Sequence, residues 1–135
     1  MKKREGLLKL KQFNVEEKSR RVEQIETMLS EFEQMAAELH NQITEEQNRV
    51  GIDDVTHFAY PTVARAAAQR RDNILNSAKD LQEQLVKAKG ELDDATEELR
   101  KVELMDEREQ LRERDPNTDH DLTIGEPEKS RIASR

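Results

Sequence analysis

The stretch VEQIETMLSEFEQMAAELHNQI, residues 22–43, carries apolar side chains at Val22, Ile25, Leu29, Phe32, Ala36, Leu39 and Ile43, at spacings of 3, 4, 3, 4, 3 and 4. That alternation is the a and d seam of a heptad repeat, which lays one apolar stripe along a helix and leaves the remaining faces polar. Counting by sevens from Val22 reaches Val15 and Leu8 backwards and Val50 forwards, so a first helix is predicted over about residues 4–50. At 1.5 Å per residue it is roughly 70 Å long. Gly51 directly after Val50 suits a left-handed helix end, and Asp53-Asp54 favour a turn.

A second seam begins at Ile74 and runs through Ala78, Leu81, Leu85, Ala88, Leu92, Ala95, Leu99 and Val102, again alternating 4 and 3. Pro61 is tolerated in a first helical turn, and Asp115-Pro116 stops a helix because proline drives the residue before it out of the helical region. The second helix is therefore predicted over about residues 62–114, after a bend at 51–61. Residues 115–135 contain Gly125, Pro127 and scattered Ser and Thr without periodicity, and read as a flexible, disordered acidic tail beyond a hairpin domain of residues 1–114.

Charge selects how the helices pair. Residues 1–21 hold eight Lys/Arg and three Glu, a net of +5, and residues 91–114 hold five Lys/Arg and ten Asp/Glu, a net of -5. Residues 22–50 come to -6 against +3 for residues 62–90. Folding back sets opposite blocks side by side, whereas a parallel homodimer of either helix sets like against like. The fold expected is all-α: an antiparallel two-helix coiled-coil hairpin, monomeric, with a disordered C-terminal tail. Leu8 is expected near the level of Val102, and Ile43 near Gln69. Its core is expected from Leu8, Val15, Val22, Ile25, Leu29, Phe32, Leu39 and Ile43 on one helix. The other supplies Ile74, Leu81, Leu85, Leu92, Leu99 and Val102.

Composition narrows the function classes. Of 135 residues 39% are charged and 33% hydrophobic; the net charge is -7, and the aromatic residues are Phe13, Phe32, Phe58 and Tyr60. So few large apolar groups cannot build a thick core around a water-excluding active site. Without Cys there are no disulfides, Cys-ligated zinc or thiol catalysis. Lys9 and Lys11 interrupt the apolar run that a secretory signal would need after Lys2-Lys3-Arg4, and no run approaches the ~20 residues that span a bilayer. A soluble, cytoplasmic protein without direct membrane insertion is expected. Net acidity speaks against nucleic acid as a partner, and no aromatic residue is interleaved with the clusters Lys2-Lys3-Arg4, Arg20-Arg21 and Arg70-Arg71 to stack on bases.

No motif marks an enzyme. His40, His57 and His120 share no ligand spacing, and Gly6, Gly51, Gly90 and Gly125 stand apart instead of forming a phosphate loop. Asp115 to Glu126 offers oxygen ligands at positions 1, 3, 5, 7, 9 and 12 of a calcium loop. However, His120 occupies the position that wants glycine, and Pro127 blocks an exiting helix. Neither a metal nor a cofactor is expected. What the seam leaves over is more informative. Met28 and Met35 widen the stripe of the first helix, while Phe58, Tyr60 and Val63 precede the small residues Ala64, Ala66, Ala67 and Ala68 at the bend. Aromatic and small apolar groups at the tip of a charged hairpin make a reasonable docking surface.

The basic opening Lys2-Lys3-Arg4-Glu5-Gly6-Leu7-Leu8-Lys9-Leu10-Lys11 and the tip Phe58-Ala59-Tyr60-Pro61-Thr62-Val63-Ala64-Arg65-Ala66 form part of a wider likeness. With the close Val102-Glu103-Leu104-Met105-Asp106-Glu107-Arg108, they resemble the flagellar export protein FliJ family in its alphaproteobacterial form, over roughly residues 1–114. The resemblance implies a non-enzymatic cytoplasmic component of the flagellar type III export apparatus, peripheral at the base of the flagellum. It would act as a stalk like that of rotary ATPases. Its partners would be the export ATPase ring at the open end, the cytoplasmic domain of the membrane-embedded export gate at the tip, and export chaperones. The gate-facing residues implied are Phe58, Tyr60, Val63, Ala67 and Arg70, alanine and arginine standing where relatives often carry larger apolar groups. The ring-facing ones implied are Lys2, Lys3, Arg4, Lys9, Lys11, Arg108 and Arg112. The pattern alone leaves a second reading open, a homo-oligomeric coiled-coil scaffold, and a third, a helical arm that contacts nucleic acid.

Overall fold

The computed structural model describes residues 2–114, with side chains from Lys3 onward. The expected disordered tail, and with it the calcium-loop-like stretch, lies outside the described residues. Two helices account for the architecture: α1, Lys2–Val50, and α2, Thr62–Arg114, with no strand among the described residues. They pack against each other as an all-α hairpin. α1 opens two residues earlier than the sequence suggests, because Lys2, Lys3, Arg4 and Glu5 are straight-chain residues that lose little freedom in a helix. Arg112 and Arg114 in the last turn of α2 complement its negative end.

Gly51 ends α1 with φ +81, and its amide donates to the Gln47 carbonyl at 2.7 Å. A left-handed residue here turns the chain away from the helix axis while satisfying a terminal carbonyl. The Asp54 carboxylate then accepts from the Thr56 amide at 2.9 Å and from the Thr56 hydroxyl at 2.7 Å. The side-chain bond first, then the backbone bond and the nearby His57, hold its pKa below the usual carboxylate value against a smaller opposing desolvation. Amides of His57 and Tyr60 close two successive turns onto Asp54 and His57 carbonyls, both at 3.0 Å, and deliver the chain to Pro61 and α2.

The chain packs as two units. One holds residues 16–93 and the other residues up to Val15 together with those from Asp94 onward. Within residues 16–93, Val22, Ile25, Leu29, Ala78, Leu81 and Ala88 form one buried cluster, with Phe32, Leu85 and Leu92 packed against it. Ile25 is the most enclosed large side chain at 1% exposure. A second cluster near the bend joins Leu39 and Ile43 to Tyr60, Ala64 and Ala67, with Ile52, Ala68 and Ile74 alongside. Tyr60, Ala64, Ala67 and Arg71 continue the heptad backwards from Ile74, so the seam of α2 reaches into the bend. Forwards along α1 it stops sooner than expected. Val50 is 38% exposed, because the chain leaves the helix at Gly51 and Ile52 takes the inward place.

In the other unit Ala95 and Val102 are buried, and Leu8, Val15 and Leu99 half-buried. The d positions counted back by sevens from Ile25 are Lys18, Lys11 and Arg4, and the α2 seam runs past Val102 into Asp106, Glu109 and Glu113. Apolar packing is thus replaced at the open end by charge. Arg4 pairs with Asp106, and its Nη1 lies 3.8 Å from Glu109 and 3.6 Å from Glu113. Since Arg4 sits opposite Asp106, Leu8 falls level with Val102 one turn further in, as the sequence predicts.

Candidate functional site

Two surfaces carry the sequence-predicted partner residues, and each is built differently. At the bend, the helix end at Gly51 and the Asp54 turn present residues 55–58 outward. Phe58 is 96% exposed and stacks on the His57 ring at a centroid distance of 4.9 Å, with Val55 and Val63 also exposed. The His57 Nδ1 accepts from the Ala59 amide at 3.0 Å, which ties the aromatic pair to the backbone.

Tyr60 and Ala67 belong to the interior, not to this surface. The Tyr60 ring lies in the bend cluster while its hydroxyl accepts from the Gln47 side chain at 2.9 Å. The Arg65 guanidinium stands 5.3 Å from the Tyr60 ring centroid and donates to the Val55 carbonyl at 3.1 Å, tying α2 to the loop. Ala64, at 0% exposure, and Ala67 are buried in the same cluster as Leu39 and Ile43. Arg70 is exposed and lines a hollow of about 200 Å³ with Met35, Glu38, Leu39, Gln42 and Ile74. Its neighbour Arg71 turns instead toward α1, its Nη1 3.3 Å from the His40 Nδ1.

At the open end the predicted cations divide in the same way. Arg4 is enclosed, its side chain 14% exposed beside an Asp106 of 16%. Desolvation works against its charge, yet the hydrogen bond to Asp106 and the fields of Asp106, Glu113 and Glu109 outweigh it and raise its pKa. Lys11 reaches Glu98 at 3.5 Å, and Arg112 donates to Glu109 at 3.2 Å within its own helix. Lys3, Lys9 and Arg108 face solvent, and the Lys2 side chain lies outside the described residues. Beside them stand large apolar side chains that pattern reading passed over: Leu7, Leu10 and Phe13 on α1, and Leu104, Met105 and Leu111 on α2, all 37–60% exposed. A signal for them existed, since none falls on an a or d position of its heptad.

Among the described residues, no group of three His, Cys, Asp or Glu is placed to hold a metal ion, and no helix is long and apolar enough to cross a membrane. The arrangement is suited to recognition: an aromatic tip on a braced loop, and an open end where outward lysines border apolar side chains. No protein-family model, curated protein or solved structure matches the chain.

Proposed function

We propose that the protein is a non-enzymatic adaptor of flagellar type III export, a FliJ-like stalk that binds the export ATPase ring with its open end. The aromatic tip would address the cytoplasmic domain of the export gate, and export chaperones would be further partners. The reading rests on the resemblance of the opening, tip and closing stretches. The observation that supports it best is the open end, where Lys3 and Lys9 face outward among Leu7, Leu10 and Phe13 while Arg4 and Lys11 are spent on holding the helices together. A surface of that kind offers a ring lumen both apolar contact and charge steering. At the tip, Phe58 and Val63 are the available contacts, with Tyr60 and Ala67 holding the loop in shape.

The test is reconstitution with the flagellar export ATPase of the same organism. Added in stoichiometric amounts, the protein should promote ring assembly and raise ATP hydrolysis, and Leu10→Asp with Phe13→Asp should abolish both effects. No association, with assembly and hydrolysis unchanged, would remove the stalk reading. A homo-oligomeric scaffold is favoured by one observation, the outward heptad pair Leu104 and Leu111 on α2. Light scattering separates the two, since the stalk is a monomer and the scaffold is not.

A further inference from the structure

Within the open-end unit, heptad position sorts the charges of α2. With Val102 as a d residue, Asp106, Glu109 and Glu113 lie on the seam, and Glu103 and Glu107 fall on e and b to one side of it. The c and g positions on the other side are Lys101, Met105, Arg108 and Arg112. On α1, with Ile25 as d, the c and g positions are Lys3, Leu7, Leu10 and Asn14. In an antiparallel pair the g positions of both helices border the same side of the seam, and there Lys11 at d reaches Glu98 at g, 3.5 Å away. This flank therefore gathers Lys3, Lys101, Arg108 and Arg112 around Leu7, Leu10 and Met105 without a carboxylate among its c and g positions, although the same stretch of α2 is rich in them.

Register draws the group together. Arg4 is level with Asp106, so Met105 comes to a level between Lys3 and Leu7, Arg108 to that of Lys3, and Lys101 to that of Leu10. Leu7, Leu10 and Met105 are 37%, 60% and 49% exposed. Lys101 and Arg112 have acidic neighbours on their own helix, Glu98 at 3.8 Å and Glu109 at 3.2 Å. Lys3 and Arg108 are exposed and form no ion pair among the described residues. An apolar centre rimmed by cations is complementary to apolar side chains flanked by carboxylates. From Lys101 to Arg112 the flank runs about 16 Å, the length of three helical turns. A nucleic acid would meet the cations but leave three apolar groups uncovered, and the net charge of -7 opposes it. A second copy would bring Lys3 and Arg108 against their equivalents.

We propose that this flank of the open end docks an acidic amphipathic helix of a partner protein. Leu7, Leu10 and Met105 receive its apolar stripe, and Lys3, Lys101 and Arg108 meet its carboxylates. The inference rests on reading the open end as a partner surface and names the chemistry of what binds there; that partner need not be an ATPase ring.

The probe is a three-turn helical peptide with leucines at alternating spacings of three and four and glutamate and alanine elsewhere, titrated into the isotope-labelled full-length protein. Amide shifts should concentrate in residues 3–14 and 98–112. Lys3→Glu with Arg108→Glu should weaken binding at least tenfold, as should Leu7→Asp with Met105→Asp, while Leu111→Asp on the back of α2 leaves it unchanged. The same peptide with lysine for glutamate should bind the charge-reversed variant and not the parent, a gain that misfolding cannot imitate. No binding at millimolar peptide overturns the proposal, as do shifts spread evenly over the hairpin or equal binding of a peptide with serine for leucine. Tighter binding of a short DNA duplex or of phosphatidylglycerol vesicles overturns it too, because the occupant is then not a protein helix. Peptide binding on this flank without any effect on the export ATPase removes the stalk reading and keeps this inference. Stimulation of the ATPase that survives Leu7→Asp with Met105→Asp does the reverse.

Discussion

The bend-side unit, residues 16–93, and the open-end unit are drawn from the same two helices, yet they are held by different forces. On the bend side, heptad positions carry Ile25, Leu29, Leu39, Ile43 and Leu81, all buried, in two clusters. At the open end the same positions carry Arg4, Lys11, Asp106, Glu109 and Glu113, with Ala95 and Val102 as the buried apolar residues. Burial of a large aliphatic group stabilises by about 1.5–3 kcal/mol, whereas charge pairs near the surface contribute far less and weaken with salt. The open-end unit buries fewer large apolar side chains, and elements with few buried apolar contacts open most readily.

The largest test of this difference is Ile25→Ala, which should cost about 3 kcal/mol in a denaturant melt followed by helical circular dichroism. Leu8→Ala, at the half-buried counterpart in the open end, should cost less than half as much, and equal costs would erase the distinction. Gly51→Ala should follow at about 1 kcal/mol: the added methyl meets no neighbour, and the cost lies in holding φ +81 without glycine.

Arg4→Gln removes the cation that three carboxylates share. Amide exchange should accelerate in the first turns of α1 and the last turns of α2 while the bend-side unit keeps its protection. Raising salt on the unaltered protein should have the same one-sided effect. The raised pKa of Arg4 means that its contribution is present below the ordinary arginine value and lost only in strong alkali, so salt and not pH is the lever there.

Asp54 behaves oppositely. Its pKa is depressed in the fold, so the stability it adds is present above the ordinary carboxylate value and lost as pH falls through the lower folded one. As pH falls below the usual carboxylate range, exchange at the Thr56 amide should rise in excess of the intrinsic pH effect, and Asp54→Ala should show that loss already at neutral pH. Smallest of all in stability is Phe58→Ala, within about 0.5 kcal/mol of the parent because the ring is almost fully exposed. Loss of binding to the gate domain by this variant, with its melt unchanged, would assign the tip to recognition.

Much of the fold was legible in the residues. The seams at Val22 to Ile43 and Ile74 to Val102 mark most of the buried positions, because heptad spacing converts directly into a buried stripe. The candidate surfaces were legible only in part. Tyr60 and Ala67 read as tip residues because Arg71 interrupts the apolar run, although the spacing of 3 and 4 continues back from Ile74 through Arg71, Ala67, Ala64 and Tyr60. Arg4 and Lys11 read as free cations, although counting back from Ile25 would have placed both on the d positions, where they meet a partner helix.

By itself, then, the order of residues determined that there would be two helices, where they would break, and that they would fold back on each other. Apolar period, Gly51, Pro61 and the charge blocks act locally or as sums over long stretches. Which side chains remain available was decided only by tertiary structure. Exposure depends on what the opposite helix brings to the same level: Arg4 is enclosed because Asp106, Glu109 and Glu113 arrive there, and Tyr60 is buried because Leu39 and Ile43 do. Phe58, Leu10 and Phe13 are left to solvent because nothing within the hairpin arrives to cover them.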